Sequence, residues 1–475
     1  MLRAVLALTV LVAQLSWTPM RPASPSRAPP PAGEHARAEG DSETPAVLEP
    51  RDDEGAWRRV LRADSTAGWT SNALQIASED GQSVFANRAL VGALQLTGQM
   101  TQQRGAGGSL QLDMSALVLR NIAMDGAVPP SEGSGSIRAQ HMQFLSPRTQ
   151  GIVAIGGSIG TLNARRATDP RMAAIDPTSV DRTYASSALE IAWLYALAPE
   201  TRIGLGGTVT GLFTLHDQDV SLGAGQTLRH RGLDQLLVNA ELGLDRDVSQ
   251  RLRAEGLLRV LHVEQPFVLD LSTGVPKNIG PFRTQVLTGL LGAGYVFSER
   301  LQGDARVGIS AATPLPDDLD KTPYVEPAAL LRGAYDDERR RVSILVSYQY
   351  SAAIPRLGAG PSLTILATAF GIPYDHGVWR ALNLLATGSV ERTIARTGAA
   401  SSLEVRTASV SCAARYSLGR NLGILAGADV RAARFDGRGT VPAPYDRTLI
   451  FFGISWFESN GRDERTLMPF GDMPL

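Results

Sequence analysis

Cysteine is all but missing from this chain of 475 residues: Cys412 stands alone, which excludes a disulfide framework and a metal site built on cysteines. It sits in an apolar alternating run, as a small packed or lipid-facing residue would. Lysine is nearly as scarce, with Lys277 and Lys321 the only two, so the basic charge is almost all arginine. Neither sign of charge is in excess, the formal net charge being -1, and the totals give no reason to expect nucleic acid as a partner. Beyond the first residues no run of 18 apolar residues occurs, so no later helix is expected to span a membrane. Catalytic signatures are missing as well: there is no His-Glu-x-x-His, no phosphate-binding loop and no Cys-x-x-Cys. Gly156-Gly157-Ser158-Ile159-Gly160 matches the Gly-x-Ser-x-Gly nucleophile pattern, but its flanks read as a continuing strand and not as strand–turn–helix. The six histidines are scattered. His216 with Asp217 and Asp219 reads as a solvated loop before it reads as a metal site, and no acid or serine partner for His141 is identifiable. No enzyme, metal or cofactor is expected.

What the chain has in quantity is glycine and alternation. Arg3 followed by the apolar Ala4–Leu15 reads as a secretory signal within residues 1–20, with an uncleaved anchor helix as the alternative. Residues 21–57, rich in Pro, Ala and mixed charge, read as a disordered leader. From about residue 58 to 457 the pattern has a period of two. Leu301, Gly303, Ala305, Val307 and Ile309 interleave with Gln302, Asp304, Arg306, Gly308 and Ser310, and Leu422–Arg431 and Val342–Ser351 repeat the rhythm. Each set occupies one face of a strand. About eighteen such runs follow one another, many longer than the roughly 5–6 residues of a globular strand. They begin near Leu61, Arg88, Gly108, Gly133, Thr149, Tyr184, Thr201, Leu228, Gln250, Phe282, Arg300, Tyr324, Arg339, Gly360, Gly377, Ser401, Arg420 and Tyr445.

The joins alternate short and long. Tight ones fall at Pro199-Glu200, Asp247–Gln250, Ser298–Arg300, Asp336–Glu338, Asp375–Gly377 and Leu418–Arg420, and long ones at Arg165–Arg182, Asp217–Gly225, Glu264–Gly280 and Pro314–Thr322. Transmembrane barrels have short periplasmic turns and long external loops. The expected fold is therefore all-β, a closed antiparallel transmembrane β-barrel of about eighteen strands (sixteen at the least), with residues 458–475 as a periplasmic tail. Beside the short joins lie Trp193, Tyr195, Tyr295, Phe297, Tyr335, Tyr374, Trp379 and Tyr416, with Trp456 and Phe457 at the end of the last strand. Together they suit an aromatic girdle at a membrane interface.

An ionised group on the lipid face is costly, so the charged parity must face the lumen. That reasoning places inward Asn239, Glu241 and Asp245 on one strand and Arg253, Glu255 and Arg259 on the next. It also places inward Asp113, Glu190, Arg202, Asp304, Arg306, Glu391, Arg415, Asp429 and Arg431. Paired with one another these groups stiffen a wall; unpaired, they line a solute path. Barrels of 16–18 strands leave an aqueous channel unless something fills it.

The first strand contains Ala67-Gly68-Trp69-Thr70-Ser71-Asn72. This stretch resembles the Gly-Tyr-Asp-Ser-Asn opening of eighteen-stranded barrels encoded with exopolysaccharide assembly systems, among them the poly-N-acetylglucosamine porin. Trp69 stands where that family has Tyr, and Thr70 where it has Asp. The resemblance implies an outer-membrane pore that translocates a secreted polysaccharide. Its partners would be outer-membrane lipid, the barrel assembly machinery, the polysaccharide and a periplasmic export protein. The alternatives are a general or small-solute porin and a structural or adhesive barrel with an occluded lumen.

Overall fold

In a computed structural model the chain forms one closed antiparallel sheet of eighteen strands. The structure describes residues 57–71, 88–104, 108–123, 131–161, 183–215, 218–221, 227–230, 235–265, 269–270, 277–278, 282–314, 324–337, 339–351, 360–372, 381–396, 402–419, 421–437 and 445–459. The wall strands are β1 (Trp57–Thr70), β2 (Ala89–Arg104), β3 (Gly108–Ala123), β4 (Ser131–Ser146), β5 (Thr149–Thr161), β6 (Thr183–Ala198), β7 (Thr201–Thr214), β8 (Gln235–Asp247) and β9 (Leu252–Gln265). They continue as β10 (Phe282–Val296), β11 (Leu301–Pro314), β12 (Tyr324–Asp336), β13 (Arg340–Ser351), β14 (Gly360–Gly371), β15 (Leu382–Arg396), β16 (Ser402–Ser417), β17 (Leu422–Gly437) and β18 (Tyr445–Ser459). Every strand pairs with its sequence neighbours, and β1 closes the sheet on β18 from Val60↔Ser459 to Thr70↔Leu449. Closure leaves no edge, the condition for strands to cross a hydrocarbon layer with their backbone groups satisfied.

Two sequence-based strand positions shift. The run near Leu228 is not wall: Thr227–His230 pairs with Gln218–Ser221 as a separate ribbon, and β8 begins at Gln235. A second small ribbon, Leu269–Asp270 with Lys277–Asn278, lies between β9 and β10. Both ribbons belong to long joins, where an alternating stretch can pair with itself instead of entering the wall. β15 begins at Leu382, not near Gly377, and Gly377 itself lies outside the described residues.

Joins from an even strand to the next odd one fall at one end, together with the start of β1 and the end of β18. The described ones are tight. Ser146 and Thr149 pair across Pro147–Arg148, Val248 and Ser249 donate to the Leu252 carbonyl, and Phe297 and Ser298 donate to that of Leu301. Strand ends that lead from odd to even, such as the pairs Thr161↔Thr183 and Gln265↔Phe282, fall at the other end.

The wall is polar inside and apolar outside, the reverse of a soluble core. Leu291, Val307, Ile309, Val325, Phe452 and Ile454 are each 58–73% exposed, while Glu241, Glu255, Arg259, Asp429 and Arg447 are under 9% exposed. Parity enforces this division, since adjacent strand residues point to opposite faces.

Two places on the wall bend sharply inward, and both need glycine. At β10/β11 a Cβ added to inward Gly292 would lie 2.0 Å from the Ala305 carbonyl oxygen, and one on Gly308 would lie 1.8 Å from that of Gly289. At β18/β1 a Cβ on Gly68 would lie 2.4 Å from the Ile450 oxygen, and one on Gly453 would lie 2.2 Å from that of Ser65. Each corner thus carries one inward glycine per strand, the device by which barrels turn corners without backbone collision. The two corners lie on nearly opposite sides of the strand circuit, so the section is flattened. Across the first corner Tyr350 of β13 packs with Leu261 and Val263 of β9. Across the second, an apolar inner row runs through paired residues Phe370, Leu385, Ala413, Gly427, Phe451, Gly68 and Val91. The Phe451 ring lies over Gly427, where a Cβ would come within 2.3 Å of it.

Candidate functional site: the inner wall

All fifteen residues that the alternation places inward lie on the inward parity, and twelve of them are in three local networks. On β8 and β9, Arg259 donates from Nε to the Asn239 side-chain oxygen at 2.8 Å and lies 3.4 Å from Glu241; Asn239 in turn donates to Glu241 at 2.8 Å. Arg259 Nη1 also donates to Gln349 of β13 at 3.1 Å. Four strand spacings of about 4.8 Å separate β9 from β13 along the wall. On a circular wall that span exceeds the reach of the two side chains. The glycine corner brings the strands together, and the bond spans the lumen there.

The second network is at the tight-turn end. Arg306 reaches the Glu255 carboxylate at 2.7 Å from β11, across β10, and lies 3.9 Å from Asp304. Arg253 is 3.5 Å from the other Glu255 oxygen, and Arg202 pairs with Asp247 at 3.1 Å. Asp245 lies beside them, buried. Gly294 makes room for this crossing: a Cβ there would stand 3.0 Å from Glu255 Oε1.

The third network closes the barrel seam. Arg431 binds Asp429 at 2.7 Å, with Arg447 3.8 Å from the same oxygen, and Arg62 binds Asp64 at 2.7 Å. The Arg415 guanidinium stands 5.8 Å from the centre of the Phe457 ring. Elsewhere Gln99 and Gln111 donate to Asp113, and Glu391 accepts from Ser362 and Thr393. Glu190 pairs with Arg138 at 2.8 Å. That last pair crosses β5 over Gly156, the first glycine of the Gly-x-Ser-x-Gly stretch. The stretch is strand throughout, and Ser158 stands between Ser136 and Ser186, 3.5 Å from the latter's hydroxyl. Among the described residues no group of three or more His, Cys, Asp and Glu could hold a metal.

Trp193, Tyr195, Tyr295, Phe297, Tyr416 and Trp456 are outward and exposed near the tight-turn end. Tyr335 is half-buried there, its hydroxyl donating to Asp337 at 2.9 Å. Tyr374 and Trp379 lie outside the described residues. Phe457 is a correction: it is 7% exposed and faces the lumen, under Arg415. Trp456 and Phe457 are consecutive in a strand, so they cannot share a face. Trp57, exposed at the same end on β1, belongs to the outward set in its place. The sequence reading also passed over inward Arg332, Arg447, Arg62 and Arg138, each of which strand parity alone locates.

Among the described residues no helix is long and apolar enough to cross a membrane, which has no bearing on strands. The fold and its inverted polarity define a class, the closed transmembrane-type β-barrel. No protein-family model matches the chain, and no curated protein matches it. Among solved structures it is similar to OccAB3 of Acinetobacter baumannii, with TM-score 0.39, 9% identity, and 85% of this chain and 100% of that chain covered. It is also similar to the outer membrane protein OpdK of Pseudomonas aeruginosa, with TM-score 0.37, 10% identity, and 85% and 99% covered. A third is the ferric-catecholate import receptor Fiu of E. coli K12, with TM-score 0.40, 9% identity, and 86% and 82% covered. At such scores nothing passes from these proteins to this chain, whose barrel stands on its own strand pairing.

Proposed function

We propose that this chain is a non-enzymatic outer-membrane pore for small polar solutes. The observation that carries the reading is the inverted wall: apolar side chains outside, and inside a lining of arginines and carboxylates from many strands. Such an arrangement costs free energy in water and is favourable only with hydrocarbon around the barrel and polar contents within it. Lipid is then the first partner, the barrel assembly machinery the second, and the tight turns face the periplasm.

The finer choice is between small solutes and a secreted polysaccharide. The side chains of Arg259, Glu241, Glu255, Arg306 and Asp429 are 5–7% exposed, and the Arg259–Gln349 bond bridges the lumen, features that suit a narrow passage. Polymer translocation, with a periplasmic export protein as partner, rests on the sequence resemblance at residues 67–72 and on the shared signal, leader and strand number. Liposome swelling with purified full-length protein tests the choice. Sugars and amino acids of increasing size should enter with a sharp size limit. Swelling no faster than that of empty liposomes would leave an occluded structural barrel, and passage of long oligosaccharides would restore the export reading.

A further inference from the structure

Near the tight turns the second network encloses a cavity of about 200 Å³ whose walls come from β7 to β14. Its charge is unbalanced: Arg202, Arg251, Arg253, Arg306 and Arg332 line it against Asp247, Glu255 and Asp304. Arg202, Arg253 and Arg306 have their carboxylates. Arg332 does not. Its residue is 8% exposed, and its Nε and Nη1 atoms are buried without a hydrogen-bond partner among the described residues. Asp304, directly opposite it, leaves its own Oδ2 without a hydrogen bond, 3.9 Å from Arg306, and so offers Arg332 an opposite charge but no hydrogen bond.

Buried guanidinium donors left unused are expensive, because they have lost water and gained no hydrogen bond in return, even with an opposite charge nearby. The planar fork of Arg matches two oxygens of a carboxylate or phosphate. We propose that this cavity is a binding site for a small oxyanion, with Arg332 as its principal ligand and with Arg253 and Arg306, which share the one carboxylate of Glu255, adding positive charge beside it. The acceptor Asp304 Oδ2, on the same wall, would take a hydroxyl or ammonium carried on the same ligand. The site stands whether or not solutes cross the barrel, since it needs only access from the turn-side mouth.

The test is calorimetric titration of the full-length protein in detergent with sodium phosphate and, separately, sodium acetate, at ionic strength held constant with chloride. Wild type should bind at least one of them saturably. Arg332→Gln should bind at least about tenfold more weakly, equivalent to roughly 1.4 kcal/mol. Arg341→Gln, which removes an exposed pair with Asp336 outside the cavity, should bind as wild type does. Arg332→Lys keeps the charge but not the fork and should fall between, which covers the case in which the glutamine variant does not fold. Phosphate alone, or acetate alone, would assign the site to tetrahedral or planar anions. No saturable binding of either, or Arg332→Gln binding like wild type, overturns the proposal. Binding without liposome swelling would overturn only the pore.

Discussion

At the residue scale, the consequence of each substitution depends on what faces the side chain. Glu255 takes Arg306 at 2.7 Å with both side chains over nine-tenths buried. Removing only the acid strands a buried cation, so Glu255→Gln should destabilise the barrel by roughly 3–5 kcal/mol, and the double variant Glu255→Leu/Arg306→Leu by less. Unfolding in urea, followed by the mobility shift of unheated protein on gels, measures the order; a single variant no worse than the double would refute it. Glycines divide in the same way. Gly292→Val puts atoms within 2.0 Å of the Ala305 oxygen and should block assembly, whereas Gly289→Ala meets nothing within 4 Å and should assemble normally. In the β12–β13 turn the Asp337 carboxylate accepts from the backbone N–H of Arg339 at 2.8 Å and from the Tyr335 hydroxyl at 2.9 Å, with the Arg340 N–H at 2.6 Å. These donors, Arg339 foremost, hold its pKa below the usual carboxylate value of 3.8. A lowered folded-state pKa adds stability above the ordinary carboxylate range, and that stability is lost as pH falls through the folded value. The melting-temperature advantage of wild type over Asp337→Ala should therefore shrink on acidification below the ordinary range. A gap independent of pH would count against a role for the ionised carboxylate.

At the element scale, each strand is a two-faced object. Outward Leu258 and Val307 are 45% and 67% exposed. Arg at either position should impair membrane insertion by about 2–4 kcal/mol if it lies at mid-depth. Parity treats Arg253 and Arg259 as equivalent, and the structure separates them. Arg253 is 28% exposed beside Glu255, so Arg253→Glu should assemble. Arg259 is buried against Glu241, so Arg259→Glu sets two carboxylates together at the lumen bridge and should not. Detergent-extracted yield of heat-modifiable protein distinguishes all four variants. Equal tolerance at lipid and lumen positions would remove the membrane reading of the alternation.

At the scale of the whole molecule, the even strand count puts both ends of the sheet at the tight-turn end. Single cysteines at Ser249 or Glu299, in a Cys412→Ala background, should resist a membrane-impermeant thiol reagent on intact cells, while one at Ser221 in the β7–β8 ribbon should react. The opposite pattern would invert the orientation. Any barrel of this size must also decide the shape of its section. The two glycine corners flatten it, and flattening makes Arg259 and Gln349 neighbours across the lumen.

The sequence by itself determined most of the strands, the starts of β8 and β15 apart, and the face each residue takes, because both follow from a period of two. Phe457 shows that parity was sufficient even where the reading departed from it. What only the tertiary structure decided is who meets whom across the lumen. Phe451, Leu425 and Leu290 share the inward parity of the charged residues, yet they are buried in apolar clusters, because the wall folds over them at its corners. Arg306 and Arg332 have the same parity and chemistry, yet Arg306 donates to the Glu255 carboxylate while Arg332 faces Asp304 with Nε and Nη1 making no hydrogen bond among the described residues. Parity fixes the direction of a side chain; its partner is set by the curvature of the closed sheet, and curvature arises where strands distant in sequence crowd against glycine.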